Sequence, residues 1–160
     1  MEYKYTKVAV GGTFDIIHRG HIALLEKAFD IGKYVIIGVT SDALVSTMGK
    51  YTMNNYDTRI KNLLHVLSYK YDSDRFRVVM LEDEFGPAVD DPNIEAIVVS
   101  KETEYKCKRL NEIRTSKGLR SLDVISIDLI LAKDGKKISS TRIRSGEIDA
   151  EGNIINHKKN

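Results

Sequence analysis

Short runs of apolar and β-branched residues alternate along this chain with segments whose apolar residues recur at helical spacing, and few folds accommodate that order. Residues 7–10 open the series as a strand, and Gly11-Gly12 end it with a turn signal. Residues 22–31 then place Ile22, Leu25 and Phe29 on one helix face, with Leu24 and Ala28 beside them. Residues 34–39 form a continuous apolar run, the pattern of a strand covered on both faces. Residues 57–69 bring Ile60, Leu63, Leu64 and Leu67 to helical spacing, with Asp57 as N-cap. Two further strands, 77–81 and 95–99, flank an acidic loop at 82–92 that holds both prolines. A polar helix over 102–117 stops at Gly118, a last strand follows at 123–131, and a short helix opens at 139–145.

This order predicts an α/β fold, a Rossmann-like doubly wound parallel sheet of about five strands with helices on both faces. Such sheets bind ligands beyond the carboxyl ends of their strands, where the strand order reverses. A length of 160 residues suits one domain, which we bound at 1–150, ahead of a polar tail at 151–160 expected to be loosely ordered. The net charge of +2 is too small for a general nucleic-acid binder. Cys107, the only cysteine, rules out an internal disulfide and a cysteine-cluster metal site, and reads as an unreactive helix residue. The first residues lack the apolar core of a signal peptide and no apolar run reaches spanning length, so a cytoplasmic protein with no membrane partner is expected.

Two segments carry chemistry. The first, Gly11-Gly12-Thr13-Phe14-Asp15-Ile16-Ile17-His18-Arg19-Gly20-His21, follows the first strand. His18 and His21 are three apart, so on a first helical turn both imidazoles face the same way. Gly20 leaves space for a phosphate to come close, and the free amides of that turn attract anions. Neither the dinucleotide fingerprint nor the ATPase phosphate loop is present. Taken alone, a helix cap with one solvated imidazole explains the histidines equally well. The second segment is Lys136-Lys137-Ile138-Ser139-Ser140-Thr141-Arg142-Ile143-Arg144. One hydroxyl suffices for a cap, whereas three hydroxyls among four cations make a polyanion site. His65, among leucines, reads as a packing residue, and His157 belongs to the tail.

In this order, Gly-Thr-Phe-Asp, His-x-Gly-His and Ile-Ser-Ser-Thr-x-Ile-Arg resemble the nucleotidylyltransferase superfamily with the His-x-Gly-His signature, over nearly the whole chain. Within it the chain is most similar to the archaeal type of phosphopantetheine adenylyltransferase, on residues 8–21, 85–92, 98–103 and 132–146. The resemblance implies transfer of AMP from ATP to 4'-phosphopantetheine, giving dephospho-coenzyme A and pyrophosphate. It makes His21 the catalytic histidine, supported by His18, with Lys50 on the acceptor phosphate. It assigns ATP binding to Gly12, Thr13, Phe14, His21, Ser100, Lys101, Glu102, Ile138, Ser139, Ser140, Thr141 and Arg144. Thr13, Lys50 and Arg59 would bind the acceptor, and Phe85-Gly86-Pro87 would border its pantetheine arm. No metal ligand is assigned to the protein, since magnesium (Mg2+) is expected to arrive through ATP and water. Three alternatives stay open: a cytidylyltransferase acting on glycerol phosphate or another alcohol phosphate, a nicotinamide-mononucleotide adenylyltransferase, and a non-catalytic ATP sensor. Asp134-Gly135-Lys136-Lys137, standing where cytidylyltransferases usually carry Arg-Thr-x-Gly, argues against the first. Oligomeric state is not legible.

Overall fold

The computed structural model describes residues 2–155. Five parallel strands, β1 (Tyr5–Gly12), β2 (Gly32–Thr40), β3 (Phe76–Leu81), β4 (Ala96–Ser100) and β5 (Asp123–Ile127), lie in the order β3-β2-β1-β4-β5. The order reverses between β1 and β4, so the expected doubly wound sheet is present and its ligand crevice lies at their carboxyl ends. Alternation along β1 sorts the core into two layers. Val8 and Val10 face one side, where Leu25 and Phe29 of α1 (Arg19–Ile31) and Leu63 and Leu67 of α3 (Tyr56–Ser68) cover them. Ala9 and Ile36 face the other, beneath Ala88, Ile94, Leu122 and Leu110 of α4 (Cys107–Ser116).

Several boundaries differ from expectation, each for a physical reason. β1 does not end before the glycines: Gly11 and Gly12 stay in register with Gly38 and Val39, and the sharp turn falls at Phe14 (φ 54°). Helix α3 is capped by Asn55, whose side chain accepts the Thr58 amide, while Asp57 sits inside the first turn. A six-residue helix, α2 (Asp42–Thr47), follows β2 behind the Ser41 cap; it is too short to leave a periodic signal. The expected helix at 102–117 begins as a single tight turn over Glu104–Lys106 and is α-helical only from Cys107. β5 stops at Ile127, and Leu131 instead pairs antiparallel with Lys137.

The tail also needs correcting. Ile148 and Ile154 form an antiparallel bridge, the Lys133 amide bonds Gly152 and the Ile155 amide bonds Glu147, so residues 151–155 pack onto the domain. His157 and the rest of the expected tail lie outside the described residues. Among the described residues no helix is long and apolar enough to cross a membrane.

Two buried arginines brace the sheet's flanks. Arg114, 1 % exposed, donates to the carbonyls of Arg120, Ala88, Asp91 and Ile94, tying α4 to the crossover before β4. Arg59 does the same work on the other face, directly beneath the site.

Candidate active site

A cavity of about 720 Å³ opens at the carboxyl ends of β1 and β4. The first motif forms one wall with Gly12, Thr13, Phe14, His18 and His21. Ile138, Ser139, Ser140, Thr141 and Arg144 form another, and Ser100, Glu102 and Lys50 complete the rim.

The two histidines owe their position to the start of α1. His18 is its N-cap, and its Nδ1 accepts the Gly20 amide at 3.0 Å. His21 reaches back, its Nδ1 accepting the His18 amide at 3.2 Å, which closes a reciprocal capping box. The rings stack with centroids 3.8 Å apart, and Phe14 lies 5.0 Å from His21. Gly20 serves this packing, because a Cβ there would stand 2.8 Å from the His18 ring; the room it makes is for an imidazole rather than for a phosphate.

Burial, then the Lys137 charge, pushes His18 down to about 4. Burial, then the neighbouring His18, takes His21 to about 3, against a backbone contact with Ile16 that works the other way. Both rings are therefore neutral near pH 7. With each Nδ1 occupied as an acceptor, each proton sits on Nε2, and both rings line the cleft.

Asp15 joins the motifs and was not among the residues expected. Its carboxylate is 3 % exposed and accepts the Met53 amide at 2.8 Å, the Asn54 amide at 2.9 Å and Arg144 Nη1 at 2.8 Å. Ser140 Oγ meets both the amide and the carbonyl of Ile16 at 3.3 Å, a second tie between the motifs. Ser139 caps α5 (Ser140–Arg144) by accepting the Arg142 amide, and Thr141 Oγ1 accepts from Arg144. The Arg144 guanidinium also lies 5.2 Å from the exposed Tyr51 ring, beside Lys50.

Arg59 requires correction as an acceptor ligand. It is wholly buried outside the cavity lining and donates to the Thr13 carbonyl at 2.7 Å, the Asn54 carbonyl at 3.1 Å and Asp42 at 2.9 Å. It holds the chain just ahead of the left-handed Phe14, while Asn54 Nδ2 holds the Asp15 carbonyl just behind it. Lys101 is exposed and lies outside the lining too; its amide bonds Ile127. Of the four cations around the hydroxyl run, Arg142 is taken up by Asp134, Glu147 and the Lys137 carbonyl, and Lys136 does not line the cavity. Lys137 does line it; the sequence counts it among the four cations of the polyanion segment but gives it no role of its own. Phe85 borders the cavity, and Cys107 touches its wall as a buried thiol whose pKa burial raises.

The site sets two imidazoles opposite a hydroxyl-rich helix start across the crevice of an open parallel sheet, where such folds bind ligands. A family profile described as cytidylyltransferase-like matches residues 9–146. A phosphopantetheine adenylyltransferase of Methanothermobacter thermautotrophicus is 50 % identical over 97 % of this chain and 93 % of its own length. One from Methanopyrus kandleri is 42 % identical over 91 % and 92 % respectively. A crystal structure from Archaeoglobus fulgidus, of a protein described as having unknown function, aligns with a TM-score of 0.69 at 30 % identity, covering 77 % of this chain and 90 % of that one. The chain belongs to the cytidylyltransferase-like family and, within it, to the phosphopantetheine adenylyltransferases.

Proposed function

We propose that this chain transfers AMP from ATP to 4'-phosphopantetheine, producing dephospho-coenzyme A and pyrophosphate. The observation that carries the reading is the bond pair between Ser140 and Ile16, which brings the histidine turn and the hydroxyl turn onto one cavity. An oxygen of the acceptor phosphate attacks the α-phosphorus; that bond forms as the bond from α-phosphorus to the bridging oxygen breaks, and pyrophosphate departs. A phosphate monoester is already a competent nucleophile, so the protein needs no activated serine or cysteine. Its work is positioning and stabilising charge.

His21 donates through Nε2 to the α-phosphate as charge develops there, and the stacked His18 supports the same oxygens. Ser139, Ser140, Thr141 and Arg144 receive the outer phosphates, and Lys50 the acceptor phosphate. Thr13 faces both substrates from the turn that Arg59 holds. Ser100 and Glu102 lie on the nucleoside side of the rim. Magnesium would enter with the triphosphate as part of the substrate. Phosphate oxygens and water would supply most of its ligands. The proposed setting is the cytoplasm, where ATP is made and spent.

Pyrophosphate release tests the substrate choice. ATP with 4'-phosphopantetheine is expected to outrun CTP with glycerol phosphate by a wide margin. A preference for the second pair would make the chain a cytidylyltransferase on the same fold. ATP binding with no turnover on either pair would make it a sensor.

A further inference from the structure

We infer that Lys137 is a triphosphate-binding cation which Glu102 holds until nucleotide arrives, the phosphate oxygens then displacing the carboxylate. The inference deepens the proposed function and rests on it. Lys137 Nζ meets both carboxylate oxygens of Glu102, at 2.9 and 2.7 Å, across 35 residues of sequence. The two side chains come from different walls of the cleft, Glu102 from the segment after β4 and Lys137 from the segment before α5, and both line the cavity. Lys137 directly precedes Ile138 and the Ser139 cap, and its charge also reaches His18 on the opposing wall. A phosphate chain running from the histidine turn to the hydroxyl turn passes this ammonium.

The neighbouring cations are less free to respond. Arg142 is fixed by two carboxylates, and Arg144 is bound to the buried Asp15. The Lys137–Glu102 pair is different, with side chains 43 % and 50 % exposed. A half-exposed pair of this kind is weakly held and exchanges easily. A triphosphate offers more negative charge than one carboxylate, so the exchange favours the nucleotide. The freed Glu102 then faces a like charge and turns outward. AMP carries a single phosphate and less charge, so it drives the exchange less. Glu102 thereby makes the site respond to the polyphosphate rather than to any small anion that enters it.

The test is calorimetric titration of ATP and of AMP, with magnesium, into the full chain and its variants. Glu102→Gln is expected to raise the ratio of ATP to AMP affinity about two- to fivefold, the range such a surface pair commands. Lys137→Met should weaken ATP about tenfold and AMP less than twofold, with Lys137→Arg recovering most of the loss. In the double variant the gain from Glu102→Gln should vanish, because no ammonium remains to be released. Equal weakening of ATP and AMP by Glu102→Gln would make Glu102 a nucleoside contact and overturn the exchange. Unchanged ATP affinity in Lys137→Met would return the pair to an ordinary surface contact. A parent chain that binds neither nucleotide would instead sink the underlying nucleotide-site reading.

Discussion

Phe14 holds a left-handed backbone that a bulky residue adopts only where its surroundings enforce it. Here Arg59 and Asn54 grip the carbonyls on either side, and the ring is driven against His21. His21 is thus fixed by packing and by the His18 amide bound to its Nδ1, a ring held in place before any ligand enters. Losing one preorganised donor costs roughly 3 kcal/mol in the transition state. We therefore expect His21→Ala to stay folded and bind ATP within about tenfold of the parent while turning over at least ~100-fold slower. Single-turnover kinetics beside an ATP titration separates the two; near-parental turnover would remove His21 from the chemistry. The same burial has a pH signature. Below the ordinary value of 6.5 an unfolded chain takes up protons that the folded histidines refuse until about 4 and about 3. Stability is then whole above pH 6.5 and falls as the pH drops through that window, each group adding a slope approaching ~1.4 kcal/mol per pH unit. Urea unfolding at pH 7 and pH 5 should show a smaller drop in His18→Gln than in the parent; equal drops would mean the imidazole titrates alike in both states.

At the scale of elements, the strands were legible because buried parallel strands are continuous apolar runs, and α1 because Leu25 and Phe29 recur at helical spacing. Short elements were not. Helix α2 spans six residues, and its Ser41 cap looks like any loop serine in the sequence. The chemical motifs could be read as chemistry, yet their mutual contacts could not. Asp15 and Arg144 each stand in one of the two motifs, but nothing in the sequence joins them, and only the tertiary fold turns them into a pair. Arg59 misled for the same reason. A cation on a helix after a phosphate-binding turn suggests a ligand, and nothing local says that three partners will consume its donors. Arg59→Met should accordingly act first on stability. It strands the Thr13 and Asn54 carbonyls, at a cost of about 3 kcal/mol in urea unfolding. Arg59→Lys should recover only part of that, because an ammonium lacks the planar fork. A variant as stable as the parent but with a raised KM for the acceptor would restore Arg59 to the acceptor site.

Across the whole molecule, the site is built from stretches far apart in the chain. Ser140 reaches Ile16 across 124 residues and Arg144 reaches Asp15 across 129. The Arg19 amide at the start of the histidine helix bonds the Ala150 carbonyl. Synthesis proceeds at roughly 5–20 residues per second, so the histidine turn leaves the ribosome roughly 6–25 seconds before the hydroxyl turn that completes it. During that interval β1, α1 and β2 can pair, while Asp15 waits without Arg144 and the turn at Ile16 waits without Ser140. The nascent chain therefore carries its imidazoles early but no working crevice. The crevice of each new molecule is complete only when its second motif docks onto the first.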